Sequence, residues 1–290
     1  MAKATKKSTA SKKSTDVATK ANTEIADAVD LDVFADAGVG NEDLGRKDVL
    51  IPRIKIAQAL SPQVKKAKAE YIEGCEDGSV FIGGLDTLVG TTDDLNESPI
   101  TLVPVFYRRR FIEWTPRDSG GGLVNPDHDE SIMEDAVKGE KGKMILPNGN
   151  EISDTPEHYV LLVHEDGSYD QLVMSMSSTQ ARVSRAWNTQ IRNLRVENPA
   201  TGRRVNPARF YGAYNAHTIP ESNDQGDWFN WKIKYDGSIL SHESGKGAEI
   251  YRAAKEFYTM IMEGEVKVEH EQEGGGEAGP RNTKEADQHI

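Results

Sequence analysis

The chain has 290 residues, 35 lysines and arginines against 47 aspartates and glutamates for a formal net charge of -12, and a single cysteine, Cys75. That length holds one large domain or two small ones, and the lone cysteine excludes an internal disulfide and any cysteine-based zinc cluster. With no signal-peptide core at the start and nothing approaching the roughly 18 to 20 apolar residues of a membrane span, a soluble protein of a reducing compartment, the cytoplasm, is expected.

Taken in chain order, residues 1–23 are built from Lys, Ser, Thr and Ala with almost no branched or aromatic residues. Such a segment buries too little apolar area to offset its ordering entropy. It reads as a disordered basic arm, with the flexible start running to residue 45 and a folded region over 46–262. RIKIAQAL, 53–60, opens the strands of that region. ITLVPVFYRRRFIEW, 100–114, follows, and strand alternation puts Phe106, Arg108, Arg110 and Trp114 on one face and Val105, Tyr107, Arg109 and Phe111 on the other. Neither is a clean core face. Residues 117–143 form a long polar loop with Gly120, Gly121 and Gly122, the start of an acidic insertion reaching residue 157; a loop of this length is functional or disordered, and this one could cover or uncover the neighbouring basic strand.

MILPNGNEI, 144–152, is a hairpin about Asn148-Gly149, and HYVLLVHEDGSYDQLVMSM, 158–176, a second about Asp166-Gly167. SSTQARVSRAWNTQIRNLR, 177–195, is a helix opened by a Ser-Ser-Thr capping signal. Its 3.6-residue period gathers Val183, Trp187, Ile191 and Leu194 on one side and Arg182, Arg185, Arg192 and Arg195 on the other. FNWKIKY, 229–235, alternates well and is followed by an Asp236-Gly237 turn signal, and AEIYRAAKEFYTMIM, 248–262, is a helix with Ile250, Ala254, Phe257 and Ile261 facing the core. Residues 263–290 are a disordered acidic tail. Five or more short strands with polar turns make the chain mainly β with some α, an antiparallel barrel or sandwich elaborated by two helices.

Charge is segregated along the chain. Arg46 to Lys68 holds seven basic residues against Asp48, and Gln180 to Arg209 holds seven arginines against Glu197. Asn125 to Glu157 holds nine acidic and three basic residues, and the last 28 residues eight acidic and three basic. An acidic protein can therefore still present a basic groove.

Catalytic patterns are weak. SGKGAEIY, 244–251, lacks the first Gly and the hydroxyl residue of a phosphate loop. Asp127, His128, Asp129 and Glu130 offer oxygen ligands for a metal-dependent nuclease, but read more simply as a solvated acidic loop. His158 and His164 read as sheet-surface residues, and Cys75 has acidic neighbours that disfavour its thiolate. No cofactor, resident metal or catalytic residue is expected. Basic and aromatic residues are interleaved in PVFYRRRFIEWTPR, RFYGAY and DWFNWKIKY, as a single strand requires, since it exposes base faces to rings and phosphates to cations.

IPRIKIAQALSPQVKK, then LVPVFYRRRFIEW, then MSMSSTQARVSRAWNTQIRNL, over about residues 50–260, resemble phage-encoded single-stranded-DNA-binding proteins. The resemblance implies an OB-like barrel, sequence-independent binding of single-stranded DNA in phage replication or recombination, and action in the host cytoplasm. On the leading reading, a non-enzymatic single-stranded-DNA-binding protein, Lys55, Arg108, Arg109 and Arg110 contact phosphates, Tyr107, Phe111 and Trp114 stack bases, and Arg182, Arg185 and Arg192 extend the groove. Many such proteins recruit replication partners through an acidic C-terminal tail. The tail here is similar, but departs in holding Arg281 and Lys284 and in ending on Ile290 instead of an aromatic. Two other readings stand beside this one: an adaptor whose basic surface meets an acidic protein, and a nuclease using Asp127, Asp129 and Glu130.

Overall fold

Short branched and aromatic runs, each too polar on one side to be a helix face, build a sheet with a core on both of its surfaces. The computed structural model describes residues 40–41, 50–139, 142–224, 226–264 and 267–268; the basic arm, Arg46, Lys47 and most of the acidic tail lie outside them. In chain order the elements are β1 (Leu50–Ile51), β2 (Arg53–Ile56), β3 (Val80–Gly83), β4 (Thr87–Gly90), α1 (Thr92–Glu97), β5 (Ile100–Thr115), β6 (Gly122–His128), α2 (Ile132–Asp135), β7 (Val137–Lys138) and β8 (Met144–Ile145). There follow β9 (Glu151–Val163), β10 (Tyr169–Ser175), α3 (Ala181–Asn193), β11 (Val196–Glu197), β12 (Arg204–Val205), β13 (Gly212–Asn223), β14 (Gly226–Ser238), α4 (Gly247–Met262) and β15 (Lys267–Val268).

The main sheet runs β14-β13-β5-β9-β10-β2-β3-β4, with β6 on β5 and β8 on β9. It curls into a half-barrel. The expectation of an antiparallel sheet needs one correction: β2 pairs with β10 in parallel, Val173 opposite Arg53, and β1 pairs with β15 in parallel. The tail therefore enters the fold as far as Val268, which packs on the α4-side core.

A bulge in β5 sets which core each residue joins. Pro104 pairs with Val160 and Phe106 with Tyr159, so Val105 is the extra residue and the alternation resets there. Leu102, Val160, Leu162, Tyr214, Trp231 and Ile233 share a core with Trp187 and Ile191 of α3. Val103, Val105, Tyr159, Leu161 and Val173 share the opposite core with Ile250, Ala254 and Phe257 of α4. The curled sheet closes where its edge strand β14 meets the segment after β2, the Gln58 amide donating to Phe229 O at 3.0 Å and accepting from Phe229 N at 2.9 Å. Gly78 sits at this closure with φ +86, and a Cβ there would lie 2.5 Å from the Phe229 ring.

The turns at Asn148-Gly149 and Asp166-Gly167 fall where the sequence places them. Asp236-Gly237 does not turn: β14 runs through it, and the register slips opposite Ala213 and Tyr214. Helix α3 starts without a side-chain cap, following a 3-10 turn at Ser178–Gln180. Among its described residues the insertion is structured. Phe111, Leu146 and Ile152 form a small core with Ile132 and Met133, and Glu113 accepts hydrogen bonds from Asn150 at 2.6 Å and Asn148 at 2.8 Å while meeting His128 at 2.6 Å. No helix among the described residues is long and apolar enough to cross a membrane.

Candidate nucleic-acid interface

Alternation along β5 sends its three arginines to two faces, and both faces supply carboxylates. Glu157 of β9 stands opposite Arg108 and is fully buried. It bonds Arg53 at 2.9 Å and Arg108 at 3.0 Å, with Arg110 at 3.5 Å. Burial works to raise the Glu157 pKa, but Arg53, Arg110 and Arg108 outweigh it and hold the carboxyl below its ordinary value. Arg53 also bonds Ser175. On the other face Arg109 grips Asp154 with two contacts of 2.6 Å and reaches Glu130 at 3.1 Å. Arg110, 7 % exposed, has Asp127 at 3.8 Å. The triple arginine is thus largely a set of ion pairs, and the acidic insertion supplies all four carboxylates, Asp127, Glu130, Asp154 and Glu157.

The rings expected to stack bases need correction. Phe111 belongs to the insertion's small core, Trp114 is 5 % exposed, and neither offers a free face. Tyr107 is half-buried, with the Arg209 guanidinium 5.6 Å from its ring centre. Trp231 is buried as its strand pattern requires, whereas Tyr235 is 41 % exposed, its ring 5.5 Å from Tyr214. Trp228 and Phe229 are half-buried and line a groove of about 470 Å³ with Lys55, Leu60 and the Ser177–Gln180 turn. Of the expected site, Lys55 is the residue in that groove.

Helix α3 keeps its arginines outside. Arg182 is exposed and pairs with Glu221, which also accepts from Trp228 and Asn230. Arg185 and Arg192 are exposed and have no carboxylate within 4 Å among the described residues. Arg203 and Arg204 continue the basic surface into the β11–β12 hairpin. Strand and helix meet across His158, whose ring lies 5.0 Å from Tyr107 and stacks on Trp187 at 4.6 Å.

His158 is fully buried, not on the sheet surface. Burial and then Arg209 push its pKa well below the ordinary value. Arg209 Nη2 donates to Nδ1 at 2.8 Å, which makes Nδ1 the acceptor and leaves Nε2–H to donate to Ser184 Oγ at 2.7 Å. This serine–histidine pair is poised the wrong way for a nucleophile, because Nε2 has no lone pair for the serine proton. Cys75 is buried, and burial, then Asp77 and Glu76, raise its thiol pKa against a Ser79 hydrogen bond that lowers it. Among the described residues no three His, Cys, Asp or Glu side chains are grouped to hold a metal ion; Asp127 and Glu130 face arginines and Asp129 accepts from Ser131 N at 3.0 Å. A larger groove of about 790 Å³ is lined by Glu165, Asp166, Asp170 and Glu243 with His164 and His242. Its charge is the wrong sign for a phosphate chain.

The family model described as Pam3 phage gp34-like protein matches residues 18–267. No curated protein and no solved structure matches the chain.

Proposed function

The chain belongs to the Pam3 phage gp34-like family, and from that phage membership we propose that it binds single-stranded DNA without sequence preference, in phage replication or recombination in the host cytoplasm, and acts without catalysis. The observation that carries this reading is the unpaired cationic side of α3: Arg185 and Arg192 are exposed with no carboxylate partner among the described residues. Phosphates following such a stripe release counterions and give salt-dependent affinity. Lys55, Trp228 and Phe229 in the neighbouring groove, with its start at the Ser177–Gln180 turn before α3, supply one cation and two rings. A base stacked on such a ring is worth about 1 to 3 kcal/mol, a contribution that duplex DNA with its bases enclosed does not make. The strand arginines Arg108, Arg109 and Arg110 take a supporting place in this reading, since their charge is already matched.

Fluorescence anisotropy of a labelled oligo-dT of about 30 nucleotides, long enough for one or more sites of the usual size, tests it. Binding should weaken steeply with salt and resist duplex competitor. R185A/R192A should lower affinity by about tenfold or more, and its salt slope should fall by about two, one for each phosphate contact. Absence of wild-type binding at low salt would overturn the proposal, and the same arginines would then be sought in a stoichiometric complex with an acidic protein.

A further inference from the structure

Arg209 opens the interleaved stretch RFYGAY but is not among the residues expected to contact DNA. It opens the 3-10 turn Arg209–Tyr211 just before β13, and its guanidinium is carried between β5, β9 and α3. Nη2 donates to His158 Nδ1 and to Asn188 Oδ1, each at 2.8 Å, and the Tyr107 ring lies 5.6 Å from Cζ. All three partners are neutral. Nε is buried with no partner, and Nη1 makes no hydrogen bond within the described residues. A largely desolvated cation held only by neutral acceptors is costly to the fold, and every other arginine drawn into the sheet here, Arg53, Arg108 and Arg110, has a carboxylate.

Asn188 shows what lies beside that guanidinium. Arg185 is three residues before it and Arg192 four after, so all three occupy one flank of α3. Arg185 and Arg192 are two turns apart, about 10 Å along the axis at 1.5 Å per residue. With Arg209 held beside the residue between them, the cations form a row and not a point. A row of guanidiniums suits a chain of phosphates better than one small ion.

We infer that Arg209 anchors a phosphate-binding site between Arg185 and Arg192, filled, if the reading above holds, by a backbone phosphodiester of single-stranded DNA. His158 and Asn188 act as positioning residues: each takes one Nη2 proton and so fixes the plane of the fork with Nη1 left for the anion. Burial lowers the Arg209 pKa to about 10, still charged at neutral pH and deprived of water that a phosphate oxygen would replace.

The test uses the full chain and two readouts. Melting temperature is followed with inorganic phosphate against chloride at constant ionic strength, and oligo-dT affinity is followed against salt, for wild type, R209Q and R209K. Phosphate should stabilise wild type and not R209Q. R209Q should bind the oligonucleotide about tenfold more weakly with a salt slope lower by about one, and R209K should keep the slope but lose affinity because the charge stays and the fork is gone. If R209Q does not fold, R209K and the wild-type phosphate shift carry the decision. A wild type that phosphate stabilises no more than chloride overturns the site. Tight wild-type binding with unchanged affinity and slope in folded R209Q also overturns it, while leaving the single-strand reading in place. An Arg209-dependent phosphate shift without oligonucleotide binding keeps the anion site and removes the DNA reading.

Discussion

Glu157 sits fully buried among Arg53, Arg108 and Arg110, so removing its charge takes away the carboxylate that these guanidiniums share. E157Q should cost about 3 kcal/mol, the order of breaking a buried ion pair from one side, read as a lower urea midpoint. Arg109 has shorter contacts, two of 2.6 Å to Asp154, but is 45 % exposed. R109A should cost less than about 1 kcal/mol, since water and salt screen the pair, and should leave oligonucleotide affinity nearly unchanged. Comparable costs for the two variants would show that burial does not govern these pairs. His158 adds a pH dependence whose sign is fixed by its environment. Its folded pKa lies well below 6.5, so the unfolded chain takes up a proton first as pH falls. Its contribution to stability is full above about pH 6.5 and declines below it by about 1.4 kcal/mol per pH unit until the folded pKa is reached. His217, lowered by burial and then by Lys232 and Lys234, acts in the same direction. Thermal melts between pH 7 and 5.5 should therefore fall more steeply for wild type than for H158Q, which keeps a donor and an acceptor without the charge. Parallel slopes would remove His158 as the source.

At the scale of elements, local pattern and register divide what the chain makes legible. Asn148-Gly149 and Asp166-Gly167 carry their turns in their own residues, and the apolar period of Val183, Trp187 and Ile191 suffices for α3. β13 goes unread, because GAYNAHTIPESN is small, polar and holds Pro220, and its strand state comes from its neighbours β5 and β14. Asp236-Gly237 reads as a turn and is an irregularity inside β14 for the same reason. The short α1 had a signal in Thr91 and Asp94, which form a reciprocal cap. The arginine site was legible as composition only: that Arg108 faces Glu157 follows from the β5–β9 register, which no short stretch contains. Closure of the half-barrel is likewise a matter of elements meeting. Gln58 serves Phe229 on an edge strand much as a further strand would. Q58A should lower stability by about 1 to 2 kcal/mol, as two backbone groups lose a part-buried partner, and should speed hydrogen exchange at the Phe229 amide. An unchanged exchange rate would mean the clamp does not hold the edge.

Charge on the whole molecule sets a last expectation, because a chain with net charge -12 must bring phosphates to a basic surface that its own carboxylates also attract. Residues 269–290 hold six acidic and two basic residues, a polyanion in cis. Where the chain is cut decides what the experiment reports. Ending it at Met262 would remove Lys267 and Val268 as well, and with them the β1–β15 pairing and the Val268 contact with the α4-side core, so any change in affinity would be mixed with lost stability. Ending it at Val268 keeps that pairing and removes only the acidic segment. If the segment competes with DNA for Arg185, Arg192 and their neighbours, the chain ending at Val268 should bind oligo-dT several-fold more tightly than the full chain at low salt. The gain should fade by about 0.5 M salt, where the Debye length falls to about 4 Å and exposed charges no longer compete across solvent. Equal affinities at low salt, with equal melting temperatures, would mean that the acidic residues act on something other than the arginine surface.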